Sequence, residues 1–216
     1  MTVLLVLATF VAFAVIDWVL NRGAVEQPAT APALARPDYV EGFLVPQTVR
    51  YHPGHGWVLP ERQHLVRVGV DEFAAALIGN ADAIELPKPG RWIRQGQQVW
   101  NFMRGGEKTS MVSPIEGEIV EVNAEVVANP SLLRSDPYGK GWLMSVYVPD
   151  EESTFRNFVP ASMVMTWIRE ATAKMWALQP QLAGATAPDG GRPAAEPLAN
   201  LTPSEWKRVT SEFFLT

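Results

Sequence analysis

His52 and His55 are the closest pair of imidazoles in the chain. Metal binding would need further ligands converging on them, and an i, i+3 pair on a strand or turn does not converge unaided. His64 stands alone. Ser110 and Ser113 could attack a substrate only with a histidine placed to take the proton, and none lies at an interpretable distance. The carboxylates of Asp71–Glu72, Asp136 and Glu151–Glu152 are not paired with any base that the sequence can place. Gly105–Gly106 is too short to cradle a phosphate. No cysteine occurs in the 216 residues, which excludes thiolate ligands, disulfides and a cysteine nucleophile. The sequence predicts no catalytic residue, no metal site and no cofactor, hence a protein that is not an enzyme. A net charge of −5 and a pI near 5.3 leave no electrostatic footprint for nucleic acid.

Lys108 lies two residues past Gly105–Gly106, a pair suited to a tight hairpin turn in which both residues take positive φ. On a strand, that lysine is an ordinary solvated side chain. Trp100–Met103 leads into the hairpin. Ser113–Asn123 reads as two short strands joined by a tight turn, with Gly117 supplying the permissive backbone. Val66–Val70 alternates, Ala83–Leu86 forms a short strand, and Trp142–Val148 closes the set. Trp57, Trp142 and Trp100 fall at core positions. The pattern predicts a mainly β fold, a small flattened barrel.

Several stretches in order resemble the H-protein family of the glycine cleavage system. Tyr51–Val58 is similar to that family's opening strand, with His55 and Trp57 at the places of its His-Glu-Trp. Val68–Phe73 with Leu77–Gly79, then Glu85–Gly90, then Asn129–Pro130 and Asp136–Leu143 follow in register. The resemblance implies a barrel-sandwich hybrid, the lipoyl-like flattened barrel, ending in a helix. It also implies a lipoyl lysine eight residues before Pro114, the position of Gly106. Lys108 would be the alternative lipoyl site; a shift of two residues keeps its face but moves it about 6.6 Å along the strand.

The barrel sits between appendages. Five segments are expected: an anchor at 1–22, an Ala/Pro linker at 23–47, the barrel with its terminal helix at 48–178, a flexible linker at 179–201 and a short amphipathic helix at 202–216. Residues 2–20 carry one charge, Asp17, and as a helix would span roughly 28 Å, enough to cross a bilayer. Leu4, Phe10 and Phe13 would face lipid and Trp18 the interface, while Arg22 after the span places the barrel in the cytoplasm of a bacterium, at its inner membrane. Pro160–Leu178 is amphipathic, with Val164, Trp167, Ile168, Ala171, Met175 and Leu178 on one face. In the tail, Thr202 can cap a helix, Pro203 is its first residue and Glu205 completes a capping box. Trp206, Val209, Phe213 and Phe214 make that helix a candidate for docking to a partner, with folding back onto its own domain as the alternative; Trp92, between Arg91 and Arg94, is a second docking candidate.

These features point to a non-carrying, membrane-anchored accessory subunit that docks to an integral membrane protein complex, with electron-transfer subunits of respiration or photosynthesis as its partners. The alternative is a true lipoyl carrier modified at Lys108 and serving a membrane-associated redox enzyme. A membrane-fusion adaptor of an export system fits less well, because Arg104–Thr109 has no room for that family's long helical hairpin.

Overall fold

In the computed structural model, residues 39–178 and 198–216 are described. The anchor positions Leu4, Phe10, Phe13 and Trp18 lie outside them. Among the described residues no helix is long and apolar enough to cross a membrane.

Among the described residues eleven strands form three antiparallel sheets. β1 (Tyr39–Val40) pairs with β2 (Phe43–Leu44). β3 (Arg50–Tyr51), β4 (Gly56–Arg62), β5 (Leu65–Val70), β7 (Trp92–Ile93), β10 (Gly117–Val122) and β11 (Met144–Tyr147) build a six-stranded sheet in the order β3-β4-β5-β11-β10-β7. β6 (Ala83–Glu85), β8 (Gln98–Arg104) and β9 (Glu107–Val112) make the third. Apolar residues of the two larger sheets meet in one core around Trp57, Val68, Trp100, Phe102, Ile115 and Val146, all fully buried. The β architecture follows from short alternating runs punctuated by glycine and proline.

Among the described residues six helices surround this core: α1 (Glu72–Ile78), α2 (Ala124–Ala128), α3 (Leu132–Ser135), α4 (Glu151–Phe155), α5 (Val164–Leu178) and α6 (Pro203–Phe214). Asp71 caps α1, its carboxylate accepting from the Ala74 N–H at 2.7 Å. α5 follows a single 3₁₀ turn at Ala161–Met163 and buries Val164, Ile168, Ala171 and Met175 against the barrel. In α6, Thr202 and Glu205 form the reciprocal capping box expected from the sequence, with Pro203 in the first turn.

Four expectations need correction. α6 does not stand free for a partner: Trp206, Val209, Phe213 and Phe214 are buried in this chain's own core. Their apolar stripe finds its complement on α1 and β9, so burial stabilises the chain that carries it. Tyr39–Leu44, assigned to a linker, is the β1–β2 hairpin, and Val40 and Phe43 are buried there, with Phe43 edge-on to Phe73. Trp142 is only half-buried, with the Arg67 guanidinium 4.9 Å from its ring centre. Gly117 is not a turn residue. It lies inside β10, where a Cβ would come within 2.1 Å of the Tyr147 carbonyl oxygen, so the close approach of β11 demands glycine.

Candidate functional site

The hairpin between β8 and β9 is the place to look for a carrier residue. Arg104 pairs with Glu107, leaving Gly105 and Gly106 as a two-residue loop with φ of 56° and 83°. That is the backbone a type I′ turn requires. Gly106 is exposed, and a Cβ there would meet nothing within 4 Å. The Gly105 N–H donates to Asp82 Oδ2 at 2.7 Å, tying the tip to the neighbouring loop. Lys108 lies opposite Met103 inside β9, and its Nζ donates to Glu85 Oε2 at 3.2 Å. The same carboxylate oxygen accepts from the Asn101 amide at 3.1 Å. An exposed pair of this kind contributes little stability, but it lays the lysine along the sheet.

One side of this hairpin is roofed by the chain's own tail. At the tip, Pro203 lies 3.0 Å from where a Gly105 Cβ would stand, and Lys207 Nζ donates to Glu107 Oε2 at 3.1 Å. Arg104 donates to the carbonyls of Leu198 and Ala199 at 3.0 and 3.3 Å. Halfway along, the hydroxyls of Thr109 and Thr210 meet at 2.9 Å in a buried contact. At the far end, Phe213 packs edge-on against Phe73 (5.3 Å) and His55 (6.2 Å).

His55 is fixed from every side. Its φ of 62° turns the chain sharply, and its ring is stacked between Phe73 and Trp167, both at 4.5 Å. Nδ1–H donates to Asp71 Oδ2 at 2.8 Å while Asp71 Oδ1 holds the start of α1. The pair therefore serves two buried polar demands with one carboxylate. His52 lies nearby, edge-on to Phe158, with Nδ1 accepting from the Gly54 N–H at 3.1 Å. Burial, and then the neighbouring His55, push His52 down to about 4, so its ring is neutral at ordinary pH. Burial also holds the phenols of Tyr51 and Tyr138 well above their usual range. Tyr138 donates to the Leu44 carbonyl at 2.8 Å.

The remaining polar candidates have structural partners. Ser110 donates to Asn101 and Ser113 to the Ile115 carbonyl. Asp136 accepts from the N–H groups of Gly139 and Lys140, Glu151 accepts from the His64 N–H, and Glu152 pairs with Arg156. Among the described residues no cluster of three or more His, Cys, Asp or Glu gathers as for a metal. Trp92 is exposed on β7, and among the described residues no cation lies over its ring.

Two features escaped the sequence. The His55–Asp71 pair spans 16 positions, and no local pattern announces it. A cleft of about 720 Å³ opens between the β2–β3 loop and the α4–α5 connection, lined by Thr48, Arg50, Tyr51, Phe155, Phe158 and Met165. It brings together segments a hundred residues apart, and its only sequence signal is the apolar spacing of α5.

Residues 49–169 match the family model described as Glycine cleavage H-protein. The glycine cleavage system H protein of Alteromonas mediterranea is 36% identical over 106 residues, 49% of this chain and 82% of the relative. That of Streptomyces coelicolor is 35% identical over 106 residues, 49% of this chain and 85% of the relative. The crystal structure of a glycine cleavage system H protein from Mycobacterium marinum superposes with a TM-score of 0.51 at 26% identity, covering 59% of this chain and 99% of that one.

Proposed function

The chain belongs to the glycine cleavage H-protein family, and from that premise we propose that it is a non-carrying, non-catalytic member of it, a scaffold that docks to and stabilises a membrane protein complex. The observation that carries this reading is the hairpin tip. Its outermost residue, Gly106, has no side chain to load, and the strand behind it is covered by α6. Lys108, the nearest amine, is drawn along the sheet to Glu85. A swinging arm needs a lysine that projects from the tip.

Residues 2–20 support the tether: an apolar run of that length would cross a bilayer in a single pass. With Arg22 as the positive flank, the barrel would lie in the cytoplasm at a bacterial inner membrane. Electron-transfer subunits, respiratory or photosynthetic, are the partner class to look for. The second reading, a lipoyl carrier modified at Lys108, is kept by one observation, that the lysine is about half exposed beside the tip.

The experiment is native extraction in mild detergent followed by mass spectrometry of the intact complex and of the chain. An unmodified chain held by stable membrane partners is the result expected. A lipoyl mass at Lys108 with no stable partner overturns the scaffold and establishes the carrier.

A further inference from the structure

The cleft between the β2–β3 loop and the α4–α5 connection has a volume of about 720 Å³, the size of a small-molecule site. Val49, Phe158 and Val164 line it and are buried, so its floor is apolar. Pro46, Pro60 and Pro160 also line it. A proline has a fixed φ and no N–H, so these stretches of wall are stiff and offer a ligand no backbone donor. Phe155 meets Phe158 edge-on with ring centres 5.4 Å apart. Met165, half-buried, adds an adaptable thioether.

The charge on this surface is one-sided. Arg50 and Arg156 line the cleft, and among the described residues that line it there is no aspartate or glutamate. Arg156 is answered by Glu152 at 3.1 Å. Arg50 is not. Among the described residues it enters no ion pair, and its guanidinium carbon lies 4.8 Å from the centre of the Phe155 ring. A guanidinium over a ring still presents the N–H groups along its edge, and two of them match the two oxygens of a carboxylate. One unanswered positive charge beside an apolar floor fits one negative charge on an apolar body. A neutral hydrocarbon would desolvate the guanidinium without pairing it, and a doubly charged phosphate ester would bring one charge too many.

We propose that this cleft binds a small apolar monocarboxylate, its carboxylate held by Arg50 and its hydrocarbon body resting on Val49, Phe158 and Val164. None of residues 104–109 lines the cleft, so the site goes beyond the scaffold reading and stands for a loaded or an unloaded chain alike.

The probe is 3-phenylpropionate, added to the full chain in nanodiscs of zwitterionic lipid and followed through ¹³C-methyl methionine resonances. Met165 should shift and saturate, while Met111 and Met144, both fully buried in the core, should stay in place. Arg50→Gln should weaken binding about tenfold or more, the loss of a charge-assisted pair. Arg156→Gln should leave it nearly unchanged. The neutral amide, 3-phenylpropanamide, has the same shape and should bind as weakly to the parent chain as the acid does to Arg50→Gln. Unmoved Met111 and Met144 resonances in both variants show that the barrel is intact, because Arg50 and Arg156 are exposed. No shift at Met165 overturns the proposal. So does equal binding of acid and amide, or binding of the acid that Arg50→Gln leaves as tight as before.

Discussion

The indole N–H of Trp206 donates to the Leu77 carbonyl at 2.8 Å, across 129 positions of sequence. Leu77 is in the last turn of α1, where helix carbonyls lack intrahelical partners. Trp206 thus fills the core and satisfies a buried backbone acceptor at once. Trp206→Ala should cost about 3–5 kcal/mol, read as a fall in the thermal unfolding midpoint of the whole domain. Trp206→Phe keeps most of the packing and should lose about 1–3 kcal/mol, the penalty of an unpaired buried acceptor. An unchanged midpoint for both would place Trp206 outside the fold.

Asp71 is the second point where one side chain supports two elements. It caps α1 and takes the His55 proton donor. Asp71→Ala removes the cap, worth about 1 kcal/mol, and strands a buried N–H, worth about 1–3 kcal/mol. Asp71→Asn can keep the contact to His55 and should be the milder change. Denaturant midpoints of the two variants check the order, and a reversal would deny the pairing its dual role.

His52 makes stability depend on pH. Its folded value is depressed to about 4, against roughly 6.5 in an unfolded chain. Between those values the unfolded state binds more protons, so stability rises with pH and is lost as pH falls from 6.5 toward 4. The full span corresponds to about 3 kcal/mol. His52→Asn should flatten that part of the curve while leaving acid unfolding by carboxylates below pH 4. A slope unchanged in the variant would assign the dependence to another group.

What the sequence discloses and what it hides divide along a physical line. The two-residue turn at Gly105–Gly106 and the capping box of Thr202 and Glu205 are local devices, complete within a few residues, and both were legible. The partner of α6 was not. An amphipathic stripe of Trp206, Val209 and Phe213 has the same spacing whether it packs on its own barrel or on another protein; only the complementary surface of α1 and β9 decides. Gly117 is a similar case. The reason for its missing side chain is the Tyr147 carbonyl, thirty positions away and one strand over. Trp142 was misjudged because strand alternation assigns a face but not a neighbour, and Arg67 covers it from outside.

The last prediction concerns the tip itself. On the scaffold reading Lys108 stays unloaded; if register, and not the roof of α6, is the cause, then an amine at Gly106 should be loaded. Gly106→Lys costs about 1–2 kcal/mol for a side chain in the left-handed region, a strain the barrel can absorb, since no atom lies within 4 Å of the new Cβ. Co-expressed with a lipoate ligase, the variant should gain one lipoyl mass and the parent chain none. Gly106→Lys combined with Lys108→Arg should gain it equally, which assigns the modified position. A variant that stays unmodified while remaining folded would shift the explanation to α6, because Pro203 and Lys207 stand beside the tip. Pro203→Ala with Lys207→Ala in that same variant, which clears the tip while leaving Trp206 and Phe213 in the core, would then have to restore loading.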